Sequence, residues 1–133
     1  MNKVLLAASV LCIGTVAHAE PSFFMGSGLL PCARFNEQLN ATKVKARATE
    51  NYFFAWAQGY MSGLNETLEA RMGRYRDLNS VSTDNQKQSL RTFCAKNPAS
   101  MYREGIGALL NVMTEVPSTR APEYPVQRSP SGR

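Results

Sequence analysis

Histidine and cysteine, the side chains most often used as bases, nucleophiles or metal ligands, are scarce in this sequence. Its 133 residues include one histidine, His18, and three cysteines, Cys12, Cys32 and Cys94. No Cys-x-x-Cys pair, glycine-rich phosphate loop or calcium-binding loop is recognisable. Most zinc sites and all Ser-His or Cys-His catalytic arrangements need a histidine, so the position of His18 bears directly on function.

The N-terminal segment, MNKVLLAASVLCIGTVAHAE, is typical of a secretory signal peptide. A lysine precedes an apolar run over residues 4–16, and an Ala-x-Ala cleavage site ends at Ala19. The apolar run is shorter than the roughly 20 residues of a membrane-spanning helix, and no other segment is apolar enough to span a membrane. We therefore predict that residues 1–19 are removed and that the mature protein is periplasmic. Cleavage also removes His18 and Cys12.

The mature chain retains Cys32 and Cys94. Because the compartment outside the inner membrane is oxidising, we predict that these two residues form a disulfide, with two free buried thiols as the alternative. In the chain-entropy model, a disulfide closing a loop of this length stabilises a fold by about 4 kcal/mol. That is a large share of the roughly 5 to 15 kcal/mol by which small domains are stable.

A carboxylate pair is the remaining catalytic arrangement that the residue types allow. Glu66 and Glu69 are one helical turn apart, and two carboxylates can hydrolyse a glycoside. Glutamates at this spacing on an exposed helix face are far more often surface charges. We therefore predict a protein that is not an enzyme, with no catalytic residues, no cofactor and no metal site.

The hydrophobic pattern predicts an all-α fold, a small four-helix bundle with one inter-helix disulfide. Apolar residues recur every three or four positions in four segments, at about residues 32–39, 46–72, 84–97 and 98–113. Asn97 and Pro98 are expected to start the fourth helix, as N-cap and first-turn proline. Residues 73–85 are polar and predict a loop.

One domain is expected, over residues 20–116. The remaining residues, 117–133, hold four of the seven prolines and show no apolar periodicity. This composition predicts a disordered, proline-rich tail.

The second predicted helix contains two glycines, Gly59 and Gly63, each of which costs about 1 kcal/mol relative to alanine in a helix interior. Because they are four residues apart, they lie on one side of the helix, and we predict that they allow close packing of another helix. A flexible hinge is the alternative. Trp56 and Tyr60, one turn apart, could line a ligand groove, but we expect them in the core because a small bundle needs large side chains there.

The charge balance is mildly basic. Without Lys3, the chain has 14 basic and ten acidic residues and a net charge of about +4. The basic residues are scattered, without the stripe and interleaved aromatics of a nucleic-acid-binding surface, so we expect no nucleic-acid partner. Protonation of all acidic side chains would raise the charge to about +14, which opposes a compact state.

Three motifs occur in a recognisable order. They are Cys-x-x-Phe at 32–35, Trp-x-x-Gly-Tyr-x-x-Gly at 56–63, and Phe-Cys-x-x-Asn-Pro at 93–98 followed by Met-Tyr-Arg. With these motifs, residues 29–113 resemble the HdeA-type family of small periplasmic acid-stress chaperones. The resemblance extends more loosely to the Tai-type immunity proteins, which neutralise secreted cell-wall-degrading effectors.

The resemblance implies a protein partner. In the HdeA-type family, a dimer that is stable near neutral pH separates in acid, and the loosened bundle exposes apolar surface to unfolding clients. For this chain it implies a holdase, a possible homodimer, and a client surface formed by Phe53, Trp56, Tyr60 and Ile106. The alternatives are an immunity protein that binds one effector through a fixed surface, or an envelope protein with neither role.

Overall fold

A computed structural model describes residues 25–120 of the protein. The predicted signal peptide and residues 121–133 of the predicted tail lie outside the described residues. The elements, in chain order, are a 3-10 turn Ser27–Leu29, α1 Cys32–Leu39, α2 Lys43–Met72, β1 Arg74–Arg76, α3 Thr83–Lys96, α4 Tyr102–Val112 and β2 Glu115–Pro117. All four predicted helices are present, and the fold is mostly helical, but two short strands add to the predicted all-α bundle.

The first strand follows α2 through a tight reversal at Gly73. This glycine has a left-handed φ of 64°, and its N–H donates to the carbonyl of Glu69 at 2.9 Å. The chain then pairs antiparallel with β2, so that Tyr75 faces Val116 across the ladder. The predicted loop over residues 73–85 therefore begins with a strand.

The second strand places the start of the predicted tail inside the fold. Pro117 belongs to β2, and the N–H of Ser118 donates to the carbonyl of Gly73 at 2.7 Å. Strands of only three residues are too short to show the alternation that identifies a strand in sequence.

The fourth helix begins at Tyr102, later than predicted. Asn97 ends α3 instead of starting α4, since its side chain donates to the carbonyl of Phe93 at 2.8 Å. The prediction that Pro98 lies in the first turn of α4 is therefore wrong.

Instead of starting α4, residues 97–101 supply hydrogen-bond acceptors to the first turn of α1. The carbonyls of Ser100 and Pro98 accept the N–H groups of Cys32 and Ala33, at 2.7 and 2.8 Å. The first N–H groups of a helix have no partner within that helix. This connecting segment supplies partners from a distant part of the chain.

The core is built on three aromatic rings, Phe35, Phe53 and Tyr102, whose centroids are each 5.0 Å from the other two. The predicted disulfide between Cys32 and Cys94 is present beside them, with both cysteines fully buried and their Cα atoms 4.7 Å apart. The disulfide therefore joins α1 to α3 at the centre of the core.

Candidate functional site

The four residues expected to form a client surface lie at different depths. Phe53 and Ile106 are only 1% and 0% exposed, whereas Trp56 and Tyr60 are half-buried and pack against the edge of the core. In this state only the Trp56–Tyr60 pair can be reached from solvent. Phe53 packs against Phe35 of α1 and Tyr102 of α4, so it would become accessible only if α2 moved away from both helices.

Trp56 and Tyr60 form a stacked aromatic pair, with ring centroids 5.3 Å apart and an interplanar angle of 12°. The indole N–H of Trp56 donates to the carbonyl of Met25 at 3.0 Å. The segment 25–30, here called the N-terminal strap, lies across the indole.

Two glycines allow the strap to approach so closely. A Cβ atom at Gly28 would lie 2.0 Å from the Trp56 ring, and one at Gly26 would lie 2.5 Å from the indole nitrogen. Gly26 also has a φ of 90°, which side chains rarely adopt. We did not predict this contact. The sequence feature that indicates it is a pair of glycines, separated by one residue, just before the first helix.

Gly59 and Gly63 do not mark a helix crossing within the described chain. Both are exposed, and a Cβ atom on either would meet nothing within 4 Å. The prediction of close packing of another helix of the bundle is therefore wrong. The hinge alternative is not seen either, because α2 continues as one helix through both residues.

Covalent and backbone bonds connect α1 to α3 and to the segment before α4. Besides the disulfide and the two N–H bonds to residues 98 and 100, the side chain of Asn36 donates to the carbonyl of Cys94 at 2.9 Å. Pro31 and Met101 also form an isolated antiparallel bridge. These bonds make a stapled unit of α1, α3 and α4.

The second helix is tied to α3 by side chains. Glu50 forms an ion pair with Arg91, with side chains 17% and 37% exposed. One turn earlier on α3, the ammonium group of Lys87 donates to Asn51 at 2.9 Å and lies 5.2 Å from the centroid of the Phe54 ring. These partners are distant in sequence, so no local pattern could have predicted them.

Tyr102 lies close enough to Glu50 for the two groups to interact. Burial raises the pKa of the Tyr102 hydroxyl above its ordinary value, and the Glu50 carboxylate raises it further. Both effects oppose a charged phenolate in the core.

At its C-terminal end, α2 is tied to the strands. The side chain of Asn65 donates to the carbonyl of Arg76 at 2.7 Å and accepts its N–H at 2.9 Å. Glu69 accepts the hydroxyl of Ser118 and pairs with Arg120 at 3.4 Å. Glu66 and Glu69 line a shared cavity of about 350 Å³, but Glu69 is already engaged and does not form a free carboxylate pair.

A groove of about 390 Å³ runs between α3 and α4. Phe93 and Leu109 contribute apolar lining, and Val112, at 71% exposed, lies at its edge. The helices approach closely here because Gly105 has no side chain, and a Cβ atom on it would lie 2.8 Å from the Phe93 ring. Since Phe93 adjoins Cys94, the groove belongs to the stapled unit.

Within residues 25–120, no group of three or more His, Cys, Asp or Glu side chains is placed to hold a metal ion. No helix in that range is both long and apolar enough to span a membrane. Comparison of the chain with family models, curated proteins and solved structures finds no match.

Proposed function

We propose that this protein is an exported holdase chaperone that acid activates by loosening α2 from the rest of the bundle. The observation that supports this proposal is which helices the covalent and backbone bonds connect. The disulfide and the backbone bonds hold α1, α3 and α4 together, whereas α2 meets α3 through side-chain contacts. Loosening of α2 would leave the stapled unit intact.

Two of the polar contacts of α2 involve glutamates, which acid can neutralise. Glu50 links α2 to α3, and Glu69 links it to the segment after β2. Protonation in strong acid removes the negative charge from both ion pairs, and a neutral carboxyl group holds a guanidinium less strongly than a carboxylate does. Without the Glu50 charge the ion pair between α2 and α3 is lost, and Arg91 keeps its hydrogen bonds to Gln88 on its own helix.

Repulsion among the positive charges of the acidified chain also favours loosening of the bundle. The rise in net charge from about +4 to about +14 on protonation of every acidic side chain disfavours a compact state. The disulfide limits how far the chain can expand, so we expect a loosened state rather than a fully unfolded one.

Loosening of α2 would uncover apolar side chains on both sides of the contact. Phe53 and Ile106 are buried in the folded state, and Trp56 and Tyr60 lie beside them. These are the residues expected to contact clients, and aromatic side chains supply much of the binding energy at protein interfaces. The resemblance to HdeA-type chaperones supports the same mechanism.

The test is client protection after acidification. The mature protein should prevent aggregation of an acid-labile enzyme that is brought to about pH 2.5 and then neutralised, and it should have no effect on a client unfolded at pH 7. Trp56 fluorescence and helicity should change over the same pH range in which protection appears.

A pair of matched variants tests the role of Glu50. Glu50→Gln should raise the pH at which protection begins, because the ion pair with Arg91 is already absent at neutral pH. Glu37→Gln makes the same chemical change in an exposed pair within α1, with Arg34, and should behave as wild type. A bundle that stays folded at pH 2.5 while the client precipitates at its normal rate would disprove the proposal.

The α3–α4 groove favours a second candidate, an immunity protein that binds one secreted effector in its folded state. The groove lies on the stapled unit and needs no opening. This candidate predicts tight binding of a cell-wall-degrading effector at pH 7 that Val112→Lys abolishes. Val44→Lys, at a residue 81% exposed on α2, should bind normally.

A further inference from the structure

The N-terminal strap lies on Trp56 as a bound peptide would. Its first carbonyl, that of Met25, accepts the indole N–H, and Gly26 and Gly28 place bare backbone against the ring. The contact uses a backbone acceptor and two glycines of a 3-10 turn. Any segment that can form a glycine-rich turn with an acceptor at this spacing offers the same chemistry.

The strap is only weakly bound to the helices, although it lies at the edge of the core. Its buried members are Ser27 and Gly28, which have no apolar side chain to anchor them. Two of its large side chains, Met25 and Leu30, are 79% and 37% exposed. The third large side chain, Leu29, is half-buried, so hydrophobic anchoring of the strap is limited to that residue.

Polar interactions do not make up for the small hydrophobic anchoring of the strap. Among the described residues, the hydrogen bonds from the strap to the helices run from Trp56 to the carbonyl of Met25 and from the N–H of Tyr102 to the carbonyl of Leu30, at 3.0 Å each. The hydroxyl of Ser27 is buried and has no hydrogen-bond partner there. A buried hydroxyl without a partner disfavours the closed strap relative to an open, hydrated one.

We propose that Trp56, with Tyr60 stacked on it, forms a docking site for short glycine-rich peptide segments that can fold into a tight turn, and that the N-terminal strap occupies this site as an internal competitor. This inference rests on the proposed function to the extent that the natural ligand is a stretch of a non-native client. The strap then lies against the Trp56 ring until a client segment replaces it.

The single tryptophan of the chain makes the site directly measurable. Gly28→Ala places a methyl group where the indole now lies, so strap and ring cannot keep their contact. In the mature protein at pH 7, this variant should show red-shifted emission and at least twofold stronger acrylamide quenching than wild type. Gly59→Ala, on the same helix but with open space around it, should match wild type.

Binding is then measured with a synthetic peptide, MGSGLL, which has the sequence of residues 25–30. Gly28→Ala should bind it at least tenfold more tightly than wild type, because its own strap no longer competes. A second peptide, MVSVLL, should not bind, since valine side chains hold the backbone away from the indole.

A substitution that should favour the closed strap gives a second, independent test. Ser27→Ala removes the buried hydroxyl, so the closed strap is favoured, and both quenching and peptide binding should fall below wild type. Equal quenching in Gly28→Ala and Gly59→Ala, equal binding of the two peptides, or stronger quenching in Ser27→Ala would each overturn the inference. All measurements are made at pH 7 without a client, so failure here is distinct from failure of the acid-protection assay.

Discussion

Two glycines in α4 provide a sharp test of the packing. Alanine in place of glycine in a helix interior is favourable by about 1 kcal/mol, and this gain applies equally to Gly105 and Gly107. At Gly107 a Cβ atom meets nothing within 4 Å, whereas at Gly105 it would lie 2.8 and 3.2 Å from two carbons of the Phe93 ring. Forcing an extra carbon into such a contact costs about 1 to 3 kcal/mol. Gly107→Ala should therefore stabilise the protein, and Gly105→Ala should be about 1 to 3 kcal/mol less stable than Gly107→Ala.

The measurement is urea unfolding at neutral pH with the disulfide intact, followed by circular dichroism, with the slope m expected to be unchanged. In a domain of this size, a difference of 1 kcal/mol shifts the melting temperature by about 4 to 8 °C. Phe93→Leu in the Gly105→Ala background should recover part of the loss, since the two sites are in contact and a double-mutant cycle detects their coupling. A Gly105→Ala protein as stable as Gly107→Ala would refute the close α3–α4 approach.

Three further changes test other parts of the fold. Gly59→Ala should raise the free energy of unfolding by about 1 kcal/mol in urea titrations, and a decrease would mean that this face of α2 is packed. Tyr102 has a raised folded-state pKa, so its contribution to stability is complete below the unfolded value near pH 10 and is lost as pH rises above it. Tyr102→Phe should accordingly lose less stability than wild type between about pH 9.5 and pH 11, and parallel pH profiles would contradict this. Replacing both Cys32 and Cys94 with alanine should lower the free energy of unfolding by about 4 kcal/mol, and the wild-type mass should rise by two hydrogens on reduction. Two freely alkylated thiols in the unreduced protein would exclude the disulfide.

The helices were predictable because their signals are local. Helix α1 begins and ends at the predicted residues, Cys32 and Leu39, and the glycine that ends α2 follows directly on the predicted last residue, Met72. A repeat of three to four residues over many turns is hard to mistake. The pairing of Cys32 with Cys94 was predictable for a different reason, because the predicted removal of residues 1–19 would leave no other partner.

Long-range contacts explain the errors. Asn97 and Pro98 have the residue types of a helix start, but the distant N–H groups of α1 take the carbonyl of Pro98. Gly59 and Gly63 have the spacing of a packing motif, but a Cβ atom on either would meet nothing within 4 Å in the described chain, whereas Gly28 and Gly105 contact aromatic rings. Spacing shows that two glycines share a face, and only the tertiary structure shows what that face meets.

The capping of α1 by residues 98–100 has a consequence for the order in which the chain can fold. A helix of eight residues is not stable alone, and the partners for its first N–H groups are more than 60 residues away. The first helix must therefore wait until the C-terminal half of the chain has been synthesised. A nascent chain that stops before residue 98 lacks these partners, so we expect the folding of α1 to be among the last steps rather than the first.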